Sequence, residues 1–544
     1  METRVTHFFL SGWRPYLWLF AVIFALYSQT LFFNFTYLDD QDLIINNYSF
    51  LSDISNIGQA FKEDVFFSAG DAYYRPLLTV SFMLDAQMGG MLPAIYHASN
   101  ILFHGIVAML LLLFFITLGY RREPSFLAAL FFAVHPMLTQ AVAWVPGRND
   151  SLLAVFILAA FIFLFKFLES NKAIHYSIHL LFFAAALLIK ETAALLPVVA
   201  LVYIWFIRKE SFFTYRQQFL VISWFAIGVG WLLARHLALG NIVSLGAGEL
   251  VWSLLANLPA FLQLLGKALF PFNLSVLPII QDTTFLYGII ALVFLVFGFL
   301  HSRHKRLGFL LFGSAWLVLF LLPSFIRADL GIVADFVEHR MYVPVIGLLI
   351  VLLEVTPLKN FSFNKKATLL PAAAVIILFA TITVVHSRDF SDHLTFWRSA
   401  AVGSPHSPLA HRNLGAMYYL DGMPDQAEPE YQKALALNPT EKMAHNNLGL
   451  IYAHRGEYQK AEAEYKDELT INPYYDNALF NLGLLYSQTD RKDEAAQLWL
   501  AVLAVNPRYV DAYYFLAKYY YENGDMQKAQ QYAQPVGLGL SSFK

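Results

Sequence analysis

The sequence predicts an all-α protein in two parts: a polytopic membrane helical bundle of about 11 spans with one further re-entrant or surface-lying helix, then an α-solenoid built of repeats. Three observations predict it. Of the 544 residues, 58% are hydrophobic and 14% charged, where soluble domains average roughly 25% charged. The charge is uneven, since residues 386–544 hold 33 of the 76 Asp, Glu, Lys and Arg and leave 43 for the first 385 residues. The two parts therefore meet different solvents. The tail, finally, repeats itself at a fixed interval of 34 residues.

A helix needs about 20 apolar residues to cross a bilayer. The first such run, Trp13–Phe33, follows Arg4 and Arg14 and lacks a small-residue cleavage site, so it is expected to stay as an anchor rather than leave as a signal peptide. A long loop over 34–92 follows. Further runs lie at 94–118, 125–145, 151–168, 175–189, 192–207, 218–238, 284–300, 308–324, 341–356 and 368–386. Residues 254–280 are apolar too, but Lys267, Pro271 and Pro278 interrupt them. Lys and Arg favour cytoplasmic loops, and the basic clusters at 121–122, 166–172, 208–209, 303–306 and 359–366 all fall inside only if 254–280 does not cross. That segment is therefore expected to re-enter or lie on the surface, with the N-terminus cytoplasmic and the tail outside, on the face of the 34–92 loop. Zero cysteines exclude disulfides, thiolate metal sites and cysteine nucleophiles and point to a bacterial chain, hence a bacterial inner membrane with a periplasmic tail. A net charge of −2 gives no basic footprint, which excludes nucleic acid as a partner.

In the tail, Leu414-Gly415, Leu448-Gly449, Leu482-Gly483 and Leu516-Ala517 recur in phase. So do Tyr418, Tyr452, Tyr486 and Tyr520, the alanines 427, 461, 495 and 529, and Asn-Pro pairs at 438–439, 472–473 and 506–507. The pattern resembles the tetratricopeptide repeat, in which small and aromatic residues interlock paired antiparallel helices and Pro ends the second helix. Four repeats over 407–544 are predicted, joined by a closing half-repeat at 388–406, with Phe396 and Trp397, to a membrane domain over 1–387. The phased residues are core. Their neighbours Asn413, Asn446-Asn447 and Asn481 are placed to project amides into the concave groove, which makes Asn413, Asn447 and Asn481 candidates for holding an extended peptide. Such repeats dock partners; they seldom catalyse.

Ionisable groups at membrane depth are costly and mark function by default, and here they collect on the outward side. Asp39 and Asp40 follow the first span in FTYLDDQDLIINN, and Arg75 sits in YYRPLLTVSFMLD. His97 and His104 flank Asn100, His135 comes late in the third span, and Arg148 with Asp150 stands in its outward turn WVPGRND. Lys190 and Glu191 occupy the next outward turn, and Arg327, Asp329, Asp335, Glu338, His339 and Arg340 fill the last. A charge beside a span can simply mark its boundary, a reading open for Lys190 with Glu191 and for Arg148 with Asp150. The Asp39-Asp40 pair differs. Adjacent carboxylates with Asp42 close by and no local cation repel one another and raise a pKa, which calls for a metal, a distant cation or a proton to accept. His97 and His104, seven apart on one helical face, suit an interhelical hydrogen bond or a substrate contact, and the structural role is the stronger reading.

The order of these segments, from the Asp39-Asp40 turn through YRPLLTVSF, PAIYHASNILFH, HPMLTQAVAWVPGRND and Lys190-Glu191 to EHRMYVP, resembles the transmembrane and tetratricopeptide repeat-containing O-mannosyltransferases and their bacterial relatives, of the class C glycosyltransferase fold. The resemblance runs along the whole chain and departs at one place: the family's late motif carries Arg where His339 stands, which leaves open which side chain holds a phosphate. It implies an inverting transferase that moves mannose or another hexose from a polyprenyl phosphate in the outer leaflet to a hydroxyl, on protein Ser/Thr. An anionic phosphate leaving group needs no protonating acid of the kind a glycosidase uses, so one base suffices. The roles implied are Asp39 as that base and Asp40 as the residue that orients the acceptor, or binds a divalent cation if one takes part. Arg75, Lys190 and Arg340 then meet the donor phosphate, and His97, His135, Arg148, Asp150, Glu191, Glu338, His339 and Tyr342 line the substrate site. The partners implied are the lipid-linked donor and an acceptor protein or glycan docked on the repeats.

Other classes compete. A glycan- or lipid-modifying transferase of the same fold differs only in acceptor. A flippase or transporter would hold its ions near mid-bilayer, whereas the charges here lie at span ends; a non-catalytic scaffold would not need the motif series. Asn34-Phe35-Thr36 matches an N-glycosylation triplet, a pattern too common to carry weight.

Overall fold

The computed structural model describes residues 9–67, 73–210, 214–240, 246–303, 305–326 and 335–543. Arg327 and Asp329 lie outside the described residues. Among those described there is no strand, only one isolated bridge between Ile279 and Asp335. The chain divides into two compact units, Met1–Ser404 and Pro405–Lys544.

In the first unit the helices of eight or more residues are α1 (Arg14–Tyr27), α2 (Pro76–Gly89), α3 (Pro93–Thr117), α4 (Arg122–Ala133), α5 (Arg148–Ser170), α6 (Ala173–Leu187), α7 (Leu196–Tyr203), α8 (Tyr215–Leu239), α9 (Ala247–Asn257), α10 (Pro259–Leu269), α11 (Leu286–His301), α12 (Leu307–Leu321), α13 (Pro344–Leu353), α14 (Lys366–Ser387) and α15 (His393–Gly403). Among the described residues, seven stretches are long and apolar enough to cross a membrane. Two more are bent pairs, α4 with Pro136–Ala143 at 52° and α9 with α10 at 41°, and α6, α11 and α13 are apolar but shorter. The seven, the first bent pair and the three short helices are the 11 apolar runs of the sequence; the second bent pair is the interrupted segment around 254–280. Proline explains both bends: Pro136 and Pro259 stand just after the breaks, where the missing N–H and the ring clash end the preceding helix.

Helices α12 and α13 touch where Gly313 meets Gly347, each so close that a Cβ would lie 2.7 and 2.4 Å from the other's carbonyl oxygen. The largest core, with Phe114, Phe161, Trp316 and Tyr342, is drawn chiefly from α3, α5, α7, α12 and α13. The 34–92 segment is more than a loop, since α2 and short helical turns bury Leu43, Ile44, Leu51, Phe82 and Met83 in a core of their own. Helix α15 belongs to this unit too. Gly403 abuts Ser275, and the Ser404 hydroxyl donates to the Leu277 carbonyl at 2.6 Å.

The second unit is four helix pairs: α16 (Pro408–Leu420) with α17 (Pro424–Leu437), α18 (Ala444–His454) with α19 (Tyr458–Ile471), α20 (Asp476–Gln488) with α21 (Lys492–Val505), and α22 (Val510–Glu522) with α23 (Met526–Ala533). Gly415, Gly449 and Gly483 face the rings of Tyr431, Tyr465 and Trp499, where an added Cβ would stand 2.9, 2.6 and 2.5 Å from the ring. The turn inside each pair needs a left-handed residue: Gly422, Gly456 and Gly524 have φ of +73°, +75° and +79°, and Asp490 takes the third with +64°.

Candidate active site

The turn after α1 carries two carboxylates with different surroundings. Asp40 is fully buried. Its Oδ2 accepts from the Thr36 amide at 2.9 Å and from the Thr36 hydroxyl, while Oδ1 has no hydrogen-bond partner. Burial pushes the Asp40 carboxyl up to about 6, and the two Thr36 donors hold it back. Asp39 is half-buried. Burial first, then the adjacent Asp40 and Asp42, raise its carboxyl to about 7 against the pull of Arg75 and Arg340. Asp39 thus stands in the field of cations from two other segments, the juxtaposition on which the predicted site depends.

The neighbouring charges Arg148 with Asp150, and Lys190 with Glu191, are not paired with each other. Arg75, at the residue before Pro76 opens α2, sends Nε and Nη2 to the two oxygens of Glu191 at 3.2 and 2.8 Å, 116 residues away. Lys190 donates to Asp150 Oδ1 at 2.7 Å. Asp150 lies in the first turn of α5, a helix that can start there because Gly147 crosses the Gln140 carbonyl where any Cβ would be 2.4 Å away. The second Asp150 oxygen faces His339 Nε2 at 3.7 Å, beyond hydrogen-bond range. That oxygen and His339 Nδ1 are buried without partners. Burial, then Lys190, Arg340 and Arg75, drive His339 well below its ordinary value, so it is a neutral ring. It packs on Trp144 at 5.4 Å between ring centres. Arg340 is held by Asp335, through its carbonyl at 3.1 Å and its carboxylate at 3.5 Å. Cross-pairing therefore pins three segments, around 75, 150 and 190, to one place, and the 340 segment adjoins them through His339 on Trp144.

Other sequence-predicted residues are engaged elsewhere. Arg148 was expected in an outward turn beside Asp150; it is instead fully buried, paired with Asp85 at 2.5 Å and donating to Asn100 and the Tyr96 carbonyl at 2.9 and 2.8 Å. A guanidinium with those bonds already made locks α2, α3 and α5 together. His135 has both ring nitrogens in use, toward the Ala268 carbonyl at 2.8 Å and the Met137 amide at 3.2 Å, and caps the break in the bent span. The Tyr342 hydroxyl meets His104 Nδ1 at 2.6 Å, the interhelical bond foreseen for His104. Glu338 is buried against Lys267 at 2.7 Å and the Ser275 amide at 2.8 Å, with His386 at 3.6 Å. His97 is buried against the Phe33 ring. In the repeats, Asn481 donates to buried Asn446 at 2.9 Å, which donates to Asn447 at 3.2 Å, while Asn413 accepts from Arg412 at 3.3 Å. Asn481, Asn446 and Asn447 are thus linked in a chain that leaves out Asn413, and Asn413, Asn447 and Asn481 are half-buried.

Sequence reasoning missed Thr36, Asp85, Lys267 and Trp144. Asp85 lies inside a quoted motif and Lys267 interrupts an apolar run, which were the signals available. The one group of three potential metal ligands among the described residues is His445, Glu464 and Asp467 in the repeats. Asp40 has one oxygen taken by Thr36 and belongs to no such group among the described residues.

Residues 93–233 match the family model described as dolichyl-phosphate-mannose-protein mannosyltransferase, and 419–476 and 480–534 match a tetratricopeptide repeat model. Mouse protein O-mannosyl-transferase TMTC3 is 34% identical over 147 residues, 26% of this chain and 16% of that protein. A Caenorhabditis elegans protein O-mannosyl-transferase is 24% identical over 458 residues, 79% of this chain and 63% of its own length. Among solved structures, a crystal structure of MamA shares 22% identity with a TM-score of 0.25, covering 26% of this chain and 84% of that one. The matched part spans less than two thirds of either O-mannosyl-transferase. The resemblance to the tetratricopeptide repeat-containing O-mannosyltransferases, drawn above from the motifs, holds.

Proposed function

We propose that this chain, similar to protein O-mannosyl-transferases, is an inverting glycosyltransferase that moves a hexose, mannose by the analogy, from a polyprenyl phosphate to a Ser/Thr hydroxyl on the extracytoplasmic face. The observation that carries this reading is the convergence at Asp39: half-buried in the turn after α1, it lies in the field of Arg75 and Arg340, which with burial and its acidic neighbours leaves its carboxyl raised to about 7, and the Arg75–Glu191 and Lys190–Asp150 pairs tie the surrounding segments together. A carboxyl poised there takes a proton at neutral pH more readily than an ordinary aspartate.

In the reaction, Asp39 accepts the acceptor hydroxyl's proton as that oxygen attacks the anomeric carbon. The bond from that carbon to the phosphate oxygen breaks, and polyprenyl phosphate leaves with the electron pair. One face of the sugar is attacked while the other loses phosphate, so configuration inverts. The leaving phosphate gains one negative charge, which fixed cations in a water-poor site stabilise most strongly. Arg75, Lys190 and Arg340 supply them. The Nε edge of Arg75 is committed to Glu191, so its remaining edge faces the phosphate, with Lys190 acting as a point charge.

The test is transfer in vesicles holding polyprenyl-phosphate-mannose and a Ser/Thr peptide, read by mass spectrometry. Asp39→Asn should cut turnover by about 10² to 10⁴ with chromatographic behaviour unchanged; near-wild-type turnover removes Asp39 from the role. A hexose on Ser or Thr supports protein transfer, while unmodified peptide with altered lipid-linked glycan points to a glycan acceptor.

A further inference from the structure

We infer that Tyr37, braced by His393, is the platform on which an acceptor polypeptide lies while its hydroxyl reaches Asp39. This rests on the reading of Asp39 as the base.

Tyr37 is an aromatic residue in the left-handed region, with φ of +55°. Bulky residues adopt that conformation only where the surroundings over-determine it, and such positions cluster at ligand clamps. The surroundings here do so. One residue before it, the amide and hydroxyl of Thr36 both donate to Asp40. Three residues before it, the Asn34 amide donates to the Ser391 carbonyl at 2.8 Å. The phenol ring then stacks on His393 with centres 5.1 Å apart and planes at 15°. None of this buries Tyr37, which stays 37% exposed. A strained backbone that presents a braced, open aromatic face is not explained by packing.

Position says what the face would hold. Tyr37 stands two residues before Asp39 in the turn that Thr36 and Asp40 close, so an acceptor whose hydroxyl reaches Asp39 carries its neighbouring residues past the ring. The phosphate has its own cations, and a prenyl tail needs broad apolar surface, which the exposed helix flanks offer, rather than one rigid ring. A flat, pre-ordered aromatic face binds a polypeptide segment at little entropic cost.

The experiment compares full-length wild type with Tyr37→Ala, Tyr37→Phe, Tyr37→Gly and His393→Ala in the vesicle assay, reading acceptor-peptide KM, donor KM and transfer to water. Tyr37→Ala should raise acceptor KM about five- to tenfold, the worth of an aromatic stack, with donor KM and transfer to water unchanged. Tyr37→Phe should behave as wild type, and His393→Ala should give a smaller rise of the same kind. Tyr37→Gly is the discriminating variant: glycine adopts the left-handed turn without strain, so its thermal midpoint should hold or rise while acceptor KM worsens as for alanine. A structural residue would lose both. Unchanged acceptor KM in Tyr37→Ala and Tyr37→Gly, as for a ring that merely sits at the membrane interface, overturns the inference, as does a parallel change in donor KM. In either case wild-type transfer lost in Asp39→Asn leaves the proposed function standing. Absence of wild-type transfer takes both readings down.

Discussion

Acidification should silence transfer at a pH where an ordinary aspartate is still ionised. Asp39 sits at about 7 because burial and then Asp40 and Asp42 disfavour its charge more than Arg75 and Arg340 favour it. The base form is then about half populated at neutrality, about a tenth at pH 6 and about a hundredth at pH 5. If that form carries the reaction, kcat/KM falls about tenfold per unit below 7. Since Asp40 titrates close by, at about 6, the observed limb belongs to the pair. Two substitutions give the sign. Arg340→Met removes a cation that favours ionised Asp39 and should move the limb upward; Asp40→Asn removes a like charge and should move it downward. The assay is kcat/KM for the peptide acceptor in vesicles of neutral lipid, corrected for protein that melts at each pH. A wild-type limb in the ordinary aspartate range, or a downward shift in Arg340→Met, would refute the argument that burial and these charges set the base.

The same shift bears on stability. Folding raises the Asp39 carboxyl above its ordinary value, so the stability it contributes is full at about pH 4 and is lost as pH rises through about 7. Asp39→Asn should therefore melt above wild type in detergent at alkaline pH and level with it at acid pH; an equal offset at both would contradict this. Asp85→Asn strips the buried Arg148 of its counter-charge and should cost about 3 to 5 kcal/mol of stability, visible as a large fall in thermal midpoint, with Asp85→Ala no better. Asp490→Gly places glycine at the one pair turn that lacks it, where φ is +64°, and should stabilise the repeats by up to about 1 kcal/mol, read as a later unfolding transition of the full chain.

The repeats were legible because each phased position answers a local packing demand. Gly415, Gly449 and Gly483 are small because an aromatic ring lies against each one, and the fourth repeat changes both members together, with buried Ala517 and Ala533 in the corresponding places. The apolar runs were legible for the same local reason, and proline marked their breaks. Partnership across loops was not. Lys190 and Glu191 looked like a pair at a boundary, yet one reaches Asp150 and the other Arg75. Arg148, two residues from Asp150, belongs to Asp85. Ion pairing depends on which helices meet, and nothing in a short motif records that.

The Asp39-Asp40 pair shows the same limit at finer scale. By composition the two carboxylates are equivalent. Their difference comes from Thr36, which turns Asp40 inward and satisfies one of its oxygens, and whose sequence signal was only a common triplet. Pairing also reshapes the proposed phosphate site. Arg75 arrives with Glu191, Lys190 with Asp150 and Arg340 with Asp335, so the cluster is close to neutral as it stands. A lipid-borne phosphate entering it competes with carboxylates already in place, and its affinity reflects the exchange of partners rather than the full attraction of three bare cations. In the proposed transfer, removing one of those carboxylates, as in Glu191→Gln, should free a guanidinium and tighten the donor, but should also strengthen the hold on the departing polyprenyl phosphate. Such a variant lowers donor KM and slows product release together, the signature expected of a site tuned for turnover by its counter-charges.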